Sequence, residues 1–274
     1  MSHGKNAIRP FRGPLIHMNS ILPRTESLIL FARPPIPGRV KTRLIPALGT
    51  EGAMSLYRAF LADAAEMAAA IRKAWPSAGL TAEWAMPDDS HAPYPLPSWL
   101  PGPFLHRAQS GHDLGARMAA ALGRRIAHGG PAVLVGTDFP GLPPEIVLEA
   151  FDALARLEAN SSGPRPARCA VLGPARDGGY YLIGLNRLES GIFSGLEWGG
   201  GRVFEAQSRI LAEKGYRIHT LPEWRDVDTP GDLKALRARL AESPPETAPN
   251  TRAALESLVG SPAGQVQPPD TLSG

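Results

Sequence analysis

The sequence contains little cysteine, little net charge and no long apolar stretch. Cys169 is the only cysteine among 274 residues, which excludes an intrachain disulfide and a multi-cysteine zinc site. The formal net charge is only +3, so composition does not indicate a nucleic-acid-binding surface. No segment approaches the roughly 20 apolar residues of a membrane helix, and the N-terminus lacks the apolar core of a signal peptide. We therefore expect a cytoplasmic protein with no membrane span and no nucleic-acid partner.

Two common nucleotide-binding motifs are also missing. The sequence has neither the GxxxxGK[ST] spacing of a P-loop nor the GxGxxG of a dinucleotide site, so neither of those mechanisms applies. In their place stands a segment from Leu28 to Leu44, LILFARPPIPGRVKTRL. Its apolar run, 28–32, is typical of a strand buried on both faces, and the prolines and glycine that follow exclude regular structure.

The irregular segment carries four cations within eleven residues, Arg33, Arg39, Lys41 and Arg43. Guanidinium and ammonium groups match a di- or triphosphate in charge and geometry, and a bound anion would offset their mutual repulsion. We therefore predict a phosphate-binding loop formed by Arg33, Gly38, Arg39, Lys41, Thr42 and Arg43. The alternative interpretation is a solvated basic turn.

One domain with two tails is the organisation that the chain predicts. Residues 1–24 show no hydrophobic period and are interpreted as a flexible extension, and residues 243–274 are interpreted as a disordered tail rich in Pro, Ser, Thr and Ala. Between them, strands alternate with helices over 25–242, which predicts an α/β domain with a mainly parallel, doubly wound sheet. The segment 173–185 is predicted as an antiparallel insertion. A chain of residues 25–242 is then expected to melt within a few degrees of the full chain.

Three aspartates are predicted near the cationic loop. Asp138 follows the apolar strand 132–136, Asp177 lies in a glycine-rich turn, and Asp228 precedes the last predicted helix. Ligands in open α/β sheets bind at the carboxyl ends of the strands, where such loops converge. Cations together with separate carboxylates suit a nucleotide bound through a divalent metal. Each aspartate could instead shape its own turn, because Asp commonly hydrogen-bonds the backbone of a turn.

Five segments occur in an order that resembles a known bacterial family: FARPPIPGRVKTRL, QSGHDLGARM, GTDFPGL, GPARDGGYYLIGL and DVDTPGDL. The family consists of GT-A-like proteins within the nucleotide-diphospho-sugar transferase superfamily. It is known as a domain of unknown function or as arsenosugar-biosynthesis-type glycosyltransferases. The resemblance covers roughly residues 27–240.

The resemblance implies a single GT-A-like, Rossmann-like domain and a metal-dependent glycosyltransferase. Its substrates would be a nucleoside-diphosphate sugar and a small acceptor, and its cofactor Mg²⁺ or Mn²⁺. It also implies roles by position: catalysis by Asp138, Asp177 and Lys41, metal binding by Asp138 and Asp228, and an acceptor side formed by Gly178, Gly179 and Tyr180. Two alternatives stay open, a nucleotidyltransferase of the phospholactate guanylyltransferase type and a non-catalytic nucleotide-binding module.

The chain departs from the family pattern at one place. Members usually carry Ser-Thr after the tryptophan that follows the glycine-rich turn, whereas here Trp198 is followed by Gly199–Gly201. The hydroxyl groups of that pair are therefore absent from this loop, and whether it keeps the family role stays open.

Overall fold

The computed structural model describes residues 26–87, 99–161 and 166–260. The predicted extension, 1–24, and residues 261–274 lie outside the described residues. The strands are β1 Ser27–Ala32, β2 Gly79–Trp84, β3 Leu105–Ala108, β4 Ala132–Gly136, β5 Arg168–Pro174, β6 Tyr180–Leu185 and β7 Tyr216–Thr220. The helices are α1 Ile45–Ala74, α2 Leu114–Ile126, α3 Pro144–Ala159, α4 Val203–Glu213, α5 Pro230–Glu242 and α6 Pro249–Gly260.

The strands form one seven-stranded sheet in the order β3-β2-β1-β4-β6-β5-β7. Only β6 runs antiparallel to its neighbours β4 and β5, and every other strand pair is parallel. The predicted fold class, including the antiparallel insertion, is therefore confirmed.

Helices cover both faces of the sheet, which explains why the apolar run of β1 is continuous. Leu28 and Leu30 point into the core beneath α1, α3, α5 and α6, whereas Ile29 points into the core beneath α2 and α4. A strand between two cores needs an apolar residue at each position. Within the described part of the chain, no helix is both long and apolar enough to cross a membrane.

Local capping sets where two of the helices begin. The Asp113 carboxylate accepts the backbone N–H of Ala116 at 2.7 Å, and Thr229 forms a capping box with Asp232 at the start of α5. Helix α1 has no side-chain cap at its N-terminus. It begins at Ile45 and is kinked at Gly49, whose φ of 69° interrupts the helical backbone.

The predicted disordered tail, 243–274, is wrong for residues 249–260, which form α6 against α1. The carboxylate of Asp63 on α1 accepts the backbone N–H groups of Asn250 and Thr251 at 2.9 and 3.0 Å. The Thr251 hydroxyl also donates to this carboxylate, at 2.5 Å. Asp63 therefore caps a helix that lies almost two hundred residues later in the chain. Sequence periodicity misses this helix because few of its side chains are buried, Thr251 and Leu255 among them.

The sheet changes winding direction between β1 and β4. From β1 the chain adds β2 and then β3 toward one edge of the sheet. Strands β6, β5 and β7 lie between β4 and the opposite edge. Ligands bind at such a switch point because the loops that leave the two strands diverge and open a crevice. Here those loops are the cationic segment after β1 and the segment containing Asp138 after β4.

Candidate active site

A cleft of about 360 Å³ opens at the carboxyl ends of β1 and β4. Aromatic and aliphatic side chains form much of its wall. Its polar groups divide by charge, with guanidinium groups of Arg33 and Arg117 and carboxylates of Asp138, Asp177 and Asp226. The arginines can bind an anionic part of a ligand. The carboxylates can bind hydroxyl groups of the ligand or a cation that accompanies it.

Lys41 lies at the centre of the charged groups beside the cleft. Its ammonium is 2.5 Å from Oδ1 of Asp138 and 3.7 Å from Oδ1 of Asp228, and only 4% of its side chain is exposed. Arg43 donates to the other oxygen of Asp228 at 3.1 Å. Lys41 has a left-handed backbone, with φ of 47°, a conformation that costs about 1 kcal/mol in a non-glycine residue. The surrounding contacts outweigh this cost and hold the ammonium between the two carboxylates.

Two aromatic rings complete the environment of Lys41. Its Nζ lies 5.8 Å from the ring centroid of Tyr57 and 5.7 Å from that of Phe60. The Tyr57 hydroxyl accepts the backbone N–H of Arg33 at 3.0 Å and hydrogen-bonds the hydroxyl of Thr137 at 3.2 Å. Burial, followed by the charge of Asp138, raises the pKa of Tyr57, so the phenol stays protonated. Tyr57 therefore joins the loop after β1 to the loop after β4.

The segment Asp226-Val227-Asp228 brings a further carboxylate to the cleft. Val227 is 1% exposed, and its N–H donates to the carbonyl of Asp138 at 3.0 Å. Asp226 lines the cleft, whereas Asp228 pairs with Lys41 and Arg43. Burial, and secondarily the charge of Asp177, raises the pKa of Asp226 to about 6. The sequence prediction missed Asp226, although its alternation with Asp228 around an apolar residue was a usable signal.

The glycine turn between β5 and β6 is shaped by Asp177 itself. Its Oδ1 accepts the N–H of Gly179 at 2.8 Å, as the turn-forming alternative anticipated. Gly178 has φ of +89°, and a Cβ built on it would lie 2.0 Å from the carbonyl oxygen of Gly201. The carbonyl of Gly178 accepts the N–H of Phe204 at 2.9 Å. The turn therefore packs directly on the triple-glycine segment while Asp177 still lines the cleft.

A smaller cavity of about 200 Å³ adjoins the cleft, and we call it the cationic annex. It is lined by Arg33, Arg39 and Arg117, together with Pro34, Ile36, Ala85, Met86 and Pro87. Arg33, Ala85 and Arg117 line both cavities. The annex is thus adjacent to the cleft, and three arginines line it, two from the loop after β1 and one from α2.

Comparison with known proteins now identifies the family. Residues 63–200 match the family described as uncharacterized protein conserved in bacteria, DUF2064. The chain belongs to this family. The match contains three of the five segments and leaves out both the cationic loop and DVDTPGDL.

A crystal structure from Desulfovibrio desulfuricans G20, described as that of a candidate nucleotide-diphospho-sugar transferase, is similar to this DUF2064 chain over most of its length. It is 30% identical and has a TM-score of 0.72, over 86% of this chain and 96% of that one. The predicted membership of the nucleotide-diphospho-sugar transferase superfamily, and with it the transferase class, is confirmed.

Other similarities are weaker. The structure of CMP:2-keto-3-deoxy-manno-octonic acid synthetase complexed with CTP is 13% identical, with a TM-score of 0.41 over 80% of this chain and 99% of that one. Such a likeness carries no argument about chemistry. A search of curated proteins finds no match.

The predicted site residues of the DUF2064 chain fall into separate groups. Lys41 and Arg43 contact the two predicted metal ligands, Asp138 and Asp228. The cleft is lined by Arg33, Asp138, Asp177, Gly179 and Tyr180, whereas Arg39 lines the annex. Gly38 and Thr42 are exposed and line neither cavity, and Gly178 supports the triple-glycine segment.

The carboxylates suit a metal that is completed by substrate. No group of three or more His, Cys, Asp or Glu side chains in the described ranges is arranged to hold a metal ion. Asp138 and Asp228 nevertheless lie within 3.7 Å of one ammonium nitrogen, so both reach a single cationic group. Mg²⁺ in phosphate-transfer sites is usually held by one or two carboxylates plus substrate phosphates and water. The pair therefore fits such an ion and does not form an all-protein cage.

Proposed function

We propose that this protein transfers a sugar from a nucleoside-diphosphate sugar to a hydroxyl of a small acceptor, with Mg²⁺ or Mn²⁺ as cofactor. The observation that carries the proposal is the Lys41 ammonium held between Asp138 and Asp228 where the sheet reverses its winding. Of these groups, Asp138 lines the cleft of about 360 Å³ directly. The overall likeness to the Desulfovibrio protein supports the same class of donor.

The donor end of the reaction depends on positive charge near the bond that breaks. Asp138 and Asp228 would hold the metal, which when bound neutralises charge on the diphosphate. Lys41 and Arg43 add two cations at the same place. Negative charge grows on the leaving diphosphate as the bond between the sugar and the phosphate oxygen breaks, so these cations stabilise the transition state more than the ground state.

Asp177 is the residue that we propose for the acceptor. One of its oxygens is used by the turn, and the side chain lines the cleft beside Gly179 and Tyr180. The carboxylate would accept the proton of the acceptor hydroxyl while the acceptor oxygen bonds to the sugar carbon and the diphosphate leaves. Asp177 therefore needs to be ionised before the transfer.

The test is a product assay with the purified full chain. A panel of nucleoside-diphosphate sugars and nucleoside triphosphates is incubated with small acceptors and Mn²⁺, or with a chelator. We expect nucleoside diphosphate to be released with Mn²⁺ and not with chelator. Asp138→Asn should lower turnover by about a hundredfold or more, the typical cost of losing one group that stabilises transition-state charge.

Asp152→Asn is the matched control, because Asp152 lies on α3 and lines neither cavity. It should retain wild-type turnover. If pyrophosphate is released from a triphosphate instead, the protein is a nucleotidyltransferase and the proposal of sugar transfer is wrong. Release of neither product with any donor and acceptor pair would contradict both.

A further inference from the structure

A cavity distinct from both the cleft and the annex is lined by α1, the start of α3 and the connection from α5 to α6. Its volume is about 370 Å³, and we call it the α1–α3 cavity. Gly136, Thr137 and Phe139 line both this cavity and the active-site cleft. The two cavities therefore adjoin along the segment that follows β4.

Much of the lining of the α1–α3 cavity is apolar. Met67, Val135, Leu142 and Ala248 line it, and all four side chains are buried. Ligand sites in proteins are typically concave, about 300–1,000 Å³ in volume and mainly apolar, with a few polar groups that orient the ligand. The cavity thus has the size and the lining to bind the apolar body of a small molecule.

Every ionisable side chain that lines the cavity is acidic. The four are Asp63, Glu66, Glu145 and Glu246, and no Lys, Arg or His of the described residues lines it. Two of the carboxylates have partners within the protein, because Asp63 caps α6 and Glu66 accepts the side-chain amide of Asn250 at 2.8 Å. The other two, on Glu145 and Glu246, belong to exposed residues and have no hydrogen bond or ion pair with another described residue.

The arginines of α5 and α6 near this connection are bonded to backbone carbonyls. Arg239 donates to the carbonyl of Pro140, and Arg252 donates to the carbonyl of Thr247 at 2.9 Å. Neither arginine lines the cavity or pairs with Glu145 or Glu246. These two carboxylates can therefore attract a cation from solution.

We propose that the α1–α3 cavity binds a small organic ammonium ion. Its apolar body would contact Met67, Val135 and Leu142, and its ammonium group would lie beside Glu145 and Glu246. An inorganic cation would gain nothing from the apolar lining, and a neutral apolar molecule would leave the two carboxylates without a counter-charge. The proposal is independent of the transfer reaction, although an occupant would contact the segment that leads to Asp138.

The test is a titration of the full chain with 4-fluorobenzylamine, an ammonium ion at neutral pH, followed by its fluorine NMR signal. 4-Fluorobenzyl alcohol has the same ring without the charge. We expect the amine to bind about fivefold more tightly than the alcohol, as two partly exposed ion pairs allow.

The double variant Glu145→Gln/Glu246→Gln tests the charged part of the site. It should weaken amine binding about fivefold and leave alcohol binding within about twofold of wild type. Glu51→Gln is the matched control, because Glu51 is an exposed glutamate of α1 that does not line the cavity. It should bind both probes like the wild type.

Two neighbouring alanines of α1 test the cavity itself. Ala70 lines it and Ala69 does not, and both are exposed, so the fold should tolerate phenylalanine at either position. Ala70→Phe should weaken both probes by about fivefold or more, because the ring takes apolar contact area from them. Ala69→Phe should bind both probes like the wild type.

Absence of amine binding to the wild type would overturn the proposal. Binding that is unchanged in both Ala70→Phe and Glu145→Gln/Glu246→Gln would also overturn it, because the amine would then occupy another site. Equal affinity of the wild type for amine and alcohol would refute the assignment of an ammonium ligand. No measurement involves turnover, so each of these results leaves the proposed function to its own test.

Discussion

At the residue scale, Tyr57 shows how one hydroxyl organises two loops. Its side chain is 3% exposed and comes from α1, between the sheet and the cleft. One hydroxyl oxygen contacts both the backbone of Arg33 and the hydroxyl of Thr137, the residue before Asp138. Tyr57 therefore positions both the cationic loop and the segment that carries Asp138.

Tyr57→Phe should lower the free energy of unfolding by about 1 kcal/mol, since each partner loses one hydrogen bond in a buried setting. It should also lower kcat, because the loops at β1 and β4 lose their link. Urea unfolding and the product assay measure the two effects.

Tyr216→Phe is the matched control for this change. The Tyr216 hydroxyl likewise accepts a backbone N–H, from Glu189 at 3.1 Å, and donates to the carbonyl of Arg187 at 3.0 Å. Tyr216 lines neither cavity, so this variant should show a similar loss of stability and unchanged kcat. Equal kcat values for the two variants would contradict a positioning role for Tyr57.

At the element scale, the turn between β5 and β6 depends on the segment before α4. A backbone carbonyl of Gly201 occupies the space in which a side chain at residue 178 would stand. The segment therefore supports the turn through its backbone, independently of any side chain at residue 201. Trp198, at the start of the segment, lines the cleft beside that turn.

Gly178→Ala should destabilise the protein by about 3 kcal/mol, because overpacking against backbone adds to the cost of a positive φ. Gly199→Ala is the matched comparison: φ is +82° there, and nothing lies within 4 Å of a built Cβ. It should cost about 1 kcal/mol, from φ alone. Thermal unfolding of both variants measures the difference, and equal shifts would show that the turn relaxes away from Gly201.

At the scale of the whole molecule, the C-terminal segment completes the layer of helices over α1. Asp63 is 7% exposed and accepts bonds from the backbone and side chains at the start of α6. Helix α6 also contacts α5, because Arg252 donates to the carbonyls of Leu240 and Ser243 at the end of α5. Helix α6 is thus tied to both α1 and α5.

A chain of residues 25–242 should be clearly less stable than one of residues 25–260, contrary to the expectation from composition. Removing α6 leaves the Asp63 carboxylate without its donors, which costs about 1–3 kcal/mol, and uncovers apolar surface on α1. For a chain of this size we expect Tm to fall by about 6 °C or more. Differential scanning calorimetry of the two chains decides the matter, and a difference below about 2 °C would show that α6 contributes little.

The sequence by itself determined the features that depend on local interactions. Apolar runs and the alternation of strands with helices predicted the doubly wound sheet and its antiparallel insertion. These features need only neighbouring residues, because propensity, capping and burial pattern act over a few positions. The order of five segments likewise pointed to the family.

Only the tertiary structure decided which charged groups meet. Arg43 contacts Asp228 across 185 positions, and Asp63 caps α6 across 187. Such contacts depend on how crossover connections place strand ends and helices in space, which no local pattern records. The division of the cationic loop follows from the same cause, because Arg39 lines the annex whereas Lys41, only two positions later, contacts Asp138.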